Sequence, residues 1–339
     1  MRAHEGGMSQ YNVLGLMYTR TCPLACAHCI SDSSPEVRER LQFREAMAYI
    51  EAIARFSTKI CFTGGEPLVY YRDVTRLIRH AKSLNLSISL VTGGGWVHTE
   101  VQTRSRVSSL VDAGLDGLWI SWDNYHGAFL PSERAVMLAR IATEAGLKVT
   151  VRTVTSADQS SNRSEPLFAG LPVAFEEQRV IKLGRATSLP FSQFASFGEA
   201  PKGTCSSVYS SVIESDGNVY ACCGPAHFCK KPSPLFLGNA RREPLDDILA
   251  RGLEDPILLI IQHLGPYGLF QILKANPADF EKFTPRSTYT GFCQLCLDIT
   301  NDAELVATLR KRLSQIDLRK LVEIAQEKTK QRSGRRQLH

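Results

Sequence analysis

The sequence has 339 residues, of which 43% are hydrophobic and 22% charged, so it is long enough for one large domain with a smaller one beside it. Residues 1–10 are polar and contain no apolar signal-peptide core, and we expect no apolar run near the roughly 20 residues that span a bilayer. These features exclude a secreted or membrane-spanning class. We expect a cytoplasmic protein with no membrane partner.

The formal net charge of +6 is concentrated at the C-terminus, because five basic residues lie among the last twelve, namely Lys328, Lys330, Arg332, Arg335 and Arg336. We interpret residues 328–339 as a basic disordered tail. A segment that attracts an acidic peptide or a nucleic acid is the alternative. No nucleic-acid motif accompanies the tail, so we expect no nucleic-acid partner.

A cysteine loop follows the strand-like run from Val13 to Thr19 and contains Cys22, Cys26 and Cys29. Thiolates in this C-x3-C-x2-C spacing bind three corners of a 4Fe–4S cluster and leave the fourth iron without a protein ligand. That open iron is the reactive position. On spacing alone, a zinc site that lacks one ligand and three unrelated thiols remain alternatives.

A glycine pair and an acid end the next predicted strand, which covers residues 59–62 and runs into Gly64, Gly65 and Glu66. Two glycines at the carboxyl end of a strand let a ligand approach the backbone, and the acid offers an acceptor to an ammonium group. Cys61 stands alone within this strand. We interpret it as a buried core thiol.

Strands and helices then alternate along the chain. Strand-like runs are followed by helical patterns in about six units, which predicts a parallel sheet covered by helices, with the site at the carboxyl ends of the strands. Six units are too few for a closed eight-fold barrel, so we expect an open, partial one. The predicted strands are 87–91, 117–122 and 148–154, and the predicted helices are 71–83, 98–113 and 132–145.

The cysteine loop and the Gly64-Gly65-Glu66 stretch together resemble the radical S-adenosylmethionine (radical SAM) superfamily. The resemblance implies a partial (β/α)6 barrel over residues 11–190. It also implies that the methionine moiety of SAM chelates the open iron of a 4Fe–4S cluster and that Gly64, Gly65 and Glu66 hold its amino group.

Four further residues are expected to contact SAM. Ser121 and Asp123 are two apart and therefore lie on one face of an extended segment. Arg152 lies within an apolar strand, where a buried arginine needs a partner, either the SAM carboxylate, the substrate or a structural ion pair. Arg185 belongs to a Gly-Arg-Ala stretch that resembles one near SAM in many radical SAM proteins.

Four more cysteines predict a second metal site in residues 200–300. A strand at 209–214, the Asp216-Gly217 turn and the run 219–221 predict a β-hairpin that returns Cys222 towards Cys205. A C-x2-C pair in a later turn, Cys293 and Cys296, completes a set of four ligands. A zinc site fits this spacing as well as an iron cluster, and the first motif favours iron.

The second region resembles the twitch or SPASM extensions of radical SAM enzymes, which implies an auxiliary 4Fe–4S cluster. The further cysteines of a full SPASM are missing near the C-terminal pair, so we predict one auxiliary cluster. If Cys222 is a ligand, Cys223 points away from it, since adjacent side chains of an extended segment face opposite ways; the alternative is that the two cysteines exchange roles. Cys229 is interpreted as an exposed incidental thiol, and residues 301–327 as a C-terminal helix.

The Ser-x-Asp-x-Tyr-His stretch at 121–126 and the Cys-Cys-x-Pro-Ala stretch at 222–226 look like those of epipeptide-type radical SAM peptide epimerases. These convert L-residues to D-residues in ribosomally made peptides. The resemblance implies Cα hydrogen abstraction by a 5′-deoxyadenosyl radical and hydrogen return from Cys223.

The expected partners are a precursor peptide and an electron donor such as flavodoxin or ferredoxin. Three other activities remain open within the radical SAM interpretation: a carbohydrate epimerase, a dehydrogenase and a peptide cross-linking enzyme. A structural zinc protein that binds a partner and catalyses nothing is the alternative of a different class.

Overall fold

The computed structural model describes residues 10–158 and 164–317. Nine strands occur in these residues: β1 Leu14–Thr19, β2 Lys59–Gly64, β3 Ser87–Thr92, β4 Gly117–Ser121, β5 Lys148–Thr155, β6 Ala174–Arg179, β7 Val212–Ile213, β8 Asn218–Tyr220 and β9 Phe236–Asn239. They form one sheet in the order β6-β5-β4-β3-β2-β1-β7-β8-β9. Strands β1 to β6 are all parallel, which confirms the predicted α/β class.

Ten α-helices connect or follow these strands: α1 Phe43–Phe56, α2 Tyr71–Ser83, α3 Glu100–Ala113, α4 Asn124–Gly127, α5 Ser132–Glu144, α6 Leu245–Glu254, α7 Pro256–Lys274, α8 Pro277–Phe280, α9 Phe292–Thr300 and α10 Ala303–Leu313 within residues 10–158 and 164–317. Local signals set their ends. Helix α3, for example, is capped at its N-terminus by Thr99, whose hydroxyl accepts from the Gln102 N–H, and at its C-terminus by Gly114 in a left-handed conformation.

The parallel strands bury one face beneath the helices and keep the other partly open. In β2, Ile60 and Phe62 are fully buried, whereas Cys61 between them is half-buried. The same alternation continues in β3 to β5. In β1, by contrast, all six residues are buried. The half-buried face of β2 to β6, opposite the helices, is called the inner face below.

The C-terminal strands extend the same sheet. Strand β7 pairs with β1 in parallel, while β8 pairs antiparallel with β7 on one side and with β9 on the other. The predicted hairpin at Asp216 and Gly217 is confirmed. The predicted strand at 209–214 is shorter, because only Val212 and Ile213 pair, and β9 was missed by the sequence interpretation.

Three further predictions differ from the structure. From the sequence we expect a strand-like run from Arg179 to Ile181, whereas β6 covers Ala174–Arg179, whose mostly exposed residues show no apolar alternation. The C-terminal helix ends at Leu313, and residues 318–327 and the basic tail lie outside the described part of the chain. Cys293 and Cys296 lie in helix α9 and not in a turn.

Helix α7 corrects the expectation about apolar runs. Within residues 10–158 and 164–317, it is the one helix long and apolar enough to cross a bilayer, and more than half of its most apolar stretch is buried inside the fold. Gly265, with φ of 70° and ψ of 179°, interrupts the helix. The helix packs against α9 and α10, which explains its apolar surface.

Candidate active site

Three cysteines, Cys22, Cys26 and Cys29, lie in the loop after β1. The N–H of Cys22 donates to the Ser34 carbonyl at 3.1 Å, and the N–H of Cys29 donates to the Cys26 carbonyl at 3.1 Å. Burial raises the pKa of the Cys22 and Cys26 thiols to about 12, and the charge of Cys29 acts on both. A cationic iron centre bound by these thiols would provide the charge that lets them ionise, so the three residues fit a cluster site.

Arg185 forms hydrogen bonds to this loop. Its Nε and Nη2 donate to the carbonyls of Cys26 at 3.0 Å and Ser33 at 2.6 Å, and its Nη1 lies 3.1 Å from Asp32 Oδ1. Its own N–H donates to the Cys29 carbonyl at 3.2 Å. The guanidinium therefore binds the cysteine loop. Its predicted contact with SAM stays a prediction.

Glu66 is a buried acid at the carboxyl end of β2, only 1% exposed. Its Oε1 accepts from the Leu68 N–H at 3.1 Å, and its Oε2 accepts from the Thr92 hydroxyl at 2.7 Å and the Gly93 N–H at 3.0 Å. Burial nevertheless raises the pKa of Glu66 to about 7. The carboxyl group is therefore held in a fixed orientation and titrates near neutral pH.

Gly64 and Gly65 lie against the protein backbone. A Cβ at Gly64 would collide with the Thr19 carbonyl oxygen, and a Cβ at Gly65 would lie 2.5 Å from that of Thr21. The N–H of Gly65 donates to the Thr19 carbonyl at 2.8 Å. The glycines thus let β2 approach the start of the cysteine loop, and their contact with a cofactor stays a prediction.

Asp123 organises the segment after β4 and is fully buried. Its Oδ1 accepts from the N–H groups of Tyr125 and His126 and lies 2.9 Å from His126 Nδ1, while its Oδ2 accepts from the Val154 N–H at 3.1 Å. Burial opposes ionisation, but the hydrogen bond and charge of His126 hold the pKa of Asp123 below its usual value. Its predicted contact with SAM remains a prediction, and its oxygens already bind protein groups.

His28 connects the cysteine loop to this segment. Its Nε2 lies 3.6 Å from Asp123 Oδ2, its ring stacks on Tyr125 at 4.6 Å and it meets His126 edge-on at 4.9 Å. Burial lowers the pKa of His28 to about 4, so the ring is neutral at pH 7. Its Nδ1 is buried and has no hydrogen-bond partner in the described part of the chain. A bound molecule could meet that nitrogen and the flat ring.

Arg152 forms an ion pair on the inner face. The strand register places Ser121, Arg152 and Glu176 side by side across β4, β5 and β6. Arg152 Nη2 lies 3.1 Å from Glu176 Oε2, and the guanidinium carbon lies 4.6 Å from the centre of the Trp119 ring. The structural ion pair is therefore present, and contact of Arg152 or Ser121 with SAM stays a prediction.

The second cysteine group consists of Cys205, Cys222, Cys293 and Cys296. Cys222 and Cys296 are buried, and the other two are half-buried. Cys205 lies close enough to act electrostatically on each of the other three thiols, so the four remain the predicted ligands of one metal site. Cys229, expected to be exposed, is half-buried, and burial raises its pKa to about 11.

Cys223 is exposed although its neighbour Cys222 is buried. The residue is exposed as a whole, but its thiol lies among protein atoms that raise the pKa of Cys223 by desolvation, and the nearby Arg152 opposes this effect. The charges of Cys223 and Arg152 also act on the Cys61 thiol. In the strand register, Cys61 of β2 lies beside Ser89 of β3 on the inner face. Cys61 is therefore not the core thiol that the apolar strand predicts, because alternation turns it away from the helices.

Comparison with known families decides what this arrangement is. A profile of the Radical SAM superfamily matches residues 16–157, and an iron-sulfur cluster-binding domain profile, SPASM, matches residues 205–253. Together they span more than half of the chain and contain the cysteine loop and the start of the second cysteine group. The chain is a radical SAM protein with a SPASM domain. Its cofactors are therefore S-adenosylmethionine, the 4Fe–4S cluster that binds it and auxiliary iron–sulfur clusters.

Curated relatives of this radical SAM protein include the putative peptide biosynthesis protein YydG of Bacillus subtilis (strain 168). It is 24% identical over 294 residues, which are 84% of this chain and 91% of that protein. A PqqA peptide cyclase of Methylocella silvestris is 27% identical over 259 residues, which are 68% of this chain and 64% of the cyclase. The mycofactocin maturase MftC of Mycobacterium tuberculosis is 28% identical over 195 residues, 55% of this chain and 49% of that protein.

Solved structures support the radical SAM fold. Native anSMEcpe with bound AdoMet and Cp18Cys peptide has a TM-score of 0.52 at 15% identity, covering 93% of this chain and 99% of that chain. Streptococcus suis SuiB bound to the precursor peptide SuiA has a TM-score of 0.55 at 14% identity, covering 74% of this chain and 66% of that chain.

Several residues around the radical SAM site escaped the sequence interpretation. Thr92 and Gly93 bind Glu66, whereas from the sequence their glycine run fits a plain turn and a close approach to the nucleoside equally well. In the sequence, His28 and His126 stand out only as parts of motifs. A histidine within the cysteine spacing and an Asp-x-x-His pattern after a strand were the available signals. Tyr125, whose hydroxyl donates to Gln193 at 2.8 Å, had no signal for its distant partner.

Proposed function

We propose that this radical SAM enzyme modifies a ribosomally made peptide and that its reaction is the epimerisation of L-residues to D-residues. The peptide class is supported by relatives that are named for peptide biosynthesis and for peptide cyclisation. The epimerisation is supported by one observation: the residue Cys223 is exposed, whereas its neighbour Cys222 is buried.

In this proposal Cys22, Cys26 and Cys29 hold the SAM-binding cluster, and Glu66 accepts from the SAM ammonium group. When bound, SAM and its cluster supply a 5′-deoxyadenosyl radical that removes a hydrogen atom from carbon. Cys205, Cys222, Cys293 and Cys296 hold one auxiliary cluster. None of these four ligand residues is exposed, whereas Cys223 is. Cys223 is therefore not needed as a ligand and is available for another role.

Cys223 supplies the second hydrogen atom. After a residue of the peptide loses its Cα hydrogen, the planar carbon radical accepts a hydrogen atom from the Cys223 thiol on the opposite face. The S–H bond breaks, a Cα–H bond forms and a thiyl radical remains. One electron from a flavodoxin- or ferredoxin-type donor and one proton from water restore the thiol.

The test uses a candidate precursor peptide, to be sought as a short open reading frame beside this gene, in D2O under strictly anaerobic conditions. A thiol exchanges its proton with solvent, so each product D-residue should carry one deuterium at Cα. The hydrogen of 5′-deoxyadenosine should come from the peptide. A product without Cα deuterium, or one with no D-residue, contradicts the proposal.

Three variants assign the thiols. Cys223→Ala should cleave SAM and take hydrogen from the peptide but give no D-residue. Cys61→Ala removes another thiol of the inner face and should epimerise like the parent. Cys222→Ala should lose the auxiliary cluster. If Cys223→Ala loses that cluster and Cys222→Ala keeps it, the two adjacent cysteines have the opposite roles.

Peptide cross-linking is the second candidate, and the similarity to a PqqA peptide cyclase favours it. Cross-linking removes two hydrogen atoms from the peptide and needs no donor thiol, whereas epimerisation leaves the mass in H2O unchanged. High-resolution mass spectrometry of the product therefore separates the two reactions. A carbohydrate epimerase or dehydrogenase would leave the peptide untouched.

A further inference from the structure

Strand β6 is an open edge of the sheet. It is six residues long, comes last in the strand order and pairs with β5 along its whole length. No backbone hydrogen bond to its other side occurs in residues 10–158 and 164–317. An edge of this length carries a row of unpaired N–H and C=O groups, which is a template for another strand.

The register identifies the unpaired groups. The N–H of Val180 donates to the Thr155 carbonyl of β5 at 2.9 Å. Because the backbone groups of a strand alternate in direction, Glu176 and Gln178 also face β5. The N–H and C=O groups that point to the open edge belong to Phe175, Glu177 and Arg179.

The open edge adjoins the proposed site of chemistry. Glu176 lies on the inner face in its ion pair with Arg152, and both charges act on the Cys223 thiol. The Nε atom of Arg152 is buried and has no hydrogen-bond partner in the described residues. A donor without an acceptor beside an unpaired strand edge indicates that a polar ligand, such as a peptide carbonyl, completes this region.

We propose that β6 binds an extended segment of the peptide substrate as a tenth strand, through main-chain hydrogen bonds to Phe175, Glu177 and Arg179. The proposal rests on the proposed function for the peptide substrate. It adds how that peptide is held: mainly by its backbone, with every second side chain directed to the inner face, where Arg152 and Cys223 lie.

A second copy of this chain fits the edge less well. Antiparallel pairing of two β6 strands about Glu177 would place the two Glu177 carboxylates opposite each other and the Glu176 carboxylates nearby. Like charges opposite each other destabilise strand pairing. A neutral or basic peptide segment does not meet this repulsion.

The decisive variant pair is Glu177→Pro and Glu177→Ala. Proline removes the outward N–H at 177 and no hydrogen bond to β5, and proline is tolerated on edge strands. We use the precursor peptide for which the parent enzyme incorporates Cα deuterium. Glu177→Pro should raise the peptide KM by about tenfold or more, while Glu177→Ala, which keeps the N–H, should stay within about twofold. SAM cleavage without peptide should be equal in all three proteins.

A parent-like KM in Glu177→Pro, or an equal loss in Glu177→Ala, overturns the β6 proposal while leaving epimerisation intact. If the parent makes no D-residue, the proposed function itself fails. Should Glu177→Pro fold poorly, amide hydrogen exchange of the parent decides. Peptide binding should slow exchange at Phe175, Glu177 and Arg179 by about tenfold or more and leave Glu176 and Gln178 nearly unchanged. Equal slowing at all five amides, or none, contradicts the proposal.

Discussion

The guanidinium of Arg185 and the carbonyl of Cys26 lie 3.0 Å apart, although 159 positions separate them in the sequence. Cys26 is the middle cysteine of the loop that binds the reactive cluster. The segment that follows β6 therefore fixes a loop that follows β1. This relationship leads to two predictions about cluster assembly.

Arg185→Ala removes hydrogen bonds to the carbonyls of Cys26 and Ser33. Hydrogen bonds from a charged donor contribute about 1.5–3 kcal/mol each, so the cysteine loop should loosen. We expect the variant to lose the SAM-binding cluster first and to retain the auxiliary one, measured as iron per chain and as SAM cleavage. Arg38→Ala, at an exposed arginine near the same loop, is the control. Parent-like iron and cleavage in Arg185→Ala would show that the loop holds without it.

Gly184→Ala tests the close packing of this segment against the cysteine loop without changing any charge. Gly184 has a φ of +59°, and an added Cβ would lie 2.6 Å from the Cys29 carbonyl oxygen. The alanine should push the loop away and reduce cluster loading at the first site. Gly198→Ala, where an added Cβ meets nothing within 4 Å, should load iron like the parent. Equal iron contents in the two variants would contradict this interpretation.

Glu66 gives a pH prediction. Its carboxyl group has a pKa of about 7 because it is buried, so it is largely neutral at pH 6 and ionised at pH 8. Only the ionised form attracts the SAM ammonium group. SAM affinity should therefore rise between pH 6 and pH 8 in the parent. In Glu66→Gln it should be weaker by about tenfold and independent of pH in this range. A pH-dependent Glu66→Gln variant would place the titrating group elsewhere.

Iron content tests the number of clusters. Three cysteines of the loop and four of the second group predict two four-iron clusters, about eight iron atoms per chain. Replacing Cys22, Cys26 and Cys29 together should halve the iron and abolish SAM cleavage. Stoichiometric zinc without iron in anaerobically purified protein would refute the assignment, and about twelve irons would indicate a second auxiliary cluster.

His227 predicts a stability difference with pH. Its Nδ1 lies 2.8 Å from Glu214, and this hydrogen bond, opposed by burial, raises the pKa of His227. A raised histidine pKa stabilises the fold fully below the unfolded pKa of about 6.5, and the effect disappears as pH rises through the folded pKa. Glu214→Gln should therefore lower the anaerobic melting temperature more at pH 6 than at pH 9. The same decrease at both values would contradict the linkage.

The sequence predicts the parallel sheet well, because strands β2 to β5 combine β-prone residues with helices of regular apolar spacing. It fails for β6, whose residues are mostly exposed and carry charge. Here pairing with β5 and not composition decides the conformation. The two-residue strand β7 is likewise set by its neighbours β1 and β8.

At the site, cysteine spacing indicates two metal centres. The first ligand set lies in one short loop, and the second combines two cysteines joined by a recognisable hairpin with a C-x2-C pair far downstream. The partners of Glu66, Arg152 and Arg185 could not be predicted, since each contact depends on strand register or on chain segments far apart. Alternation along β2 does predict the side that Cys61 faces, once the sheet is known to be buried on one face only.

The shared sheet also limits how such a protein can be divided. All six residues of β1 are buried between β2 on one side and β7 on the other. A fragment that ends before β7 would present β1 as a bare apolar edge, and edges of that kind recruit strands from other molecules. A chimaera that takes its C-terminal region from a relative must therefore carry a β7 strand that pairs with β1. The parallel part of the sheet and the C-terminal strands can be recombined only when β1 and β7 match.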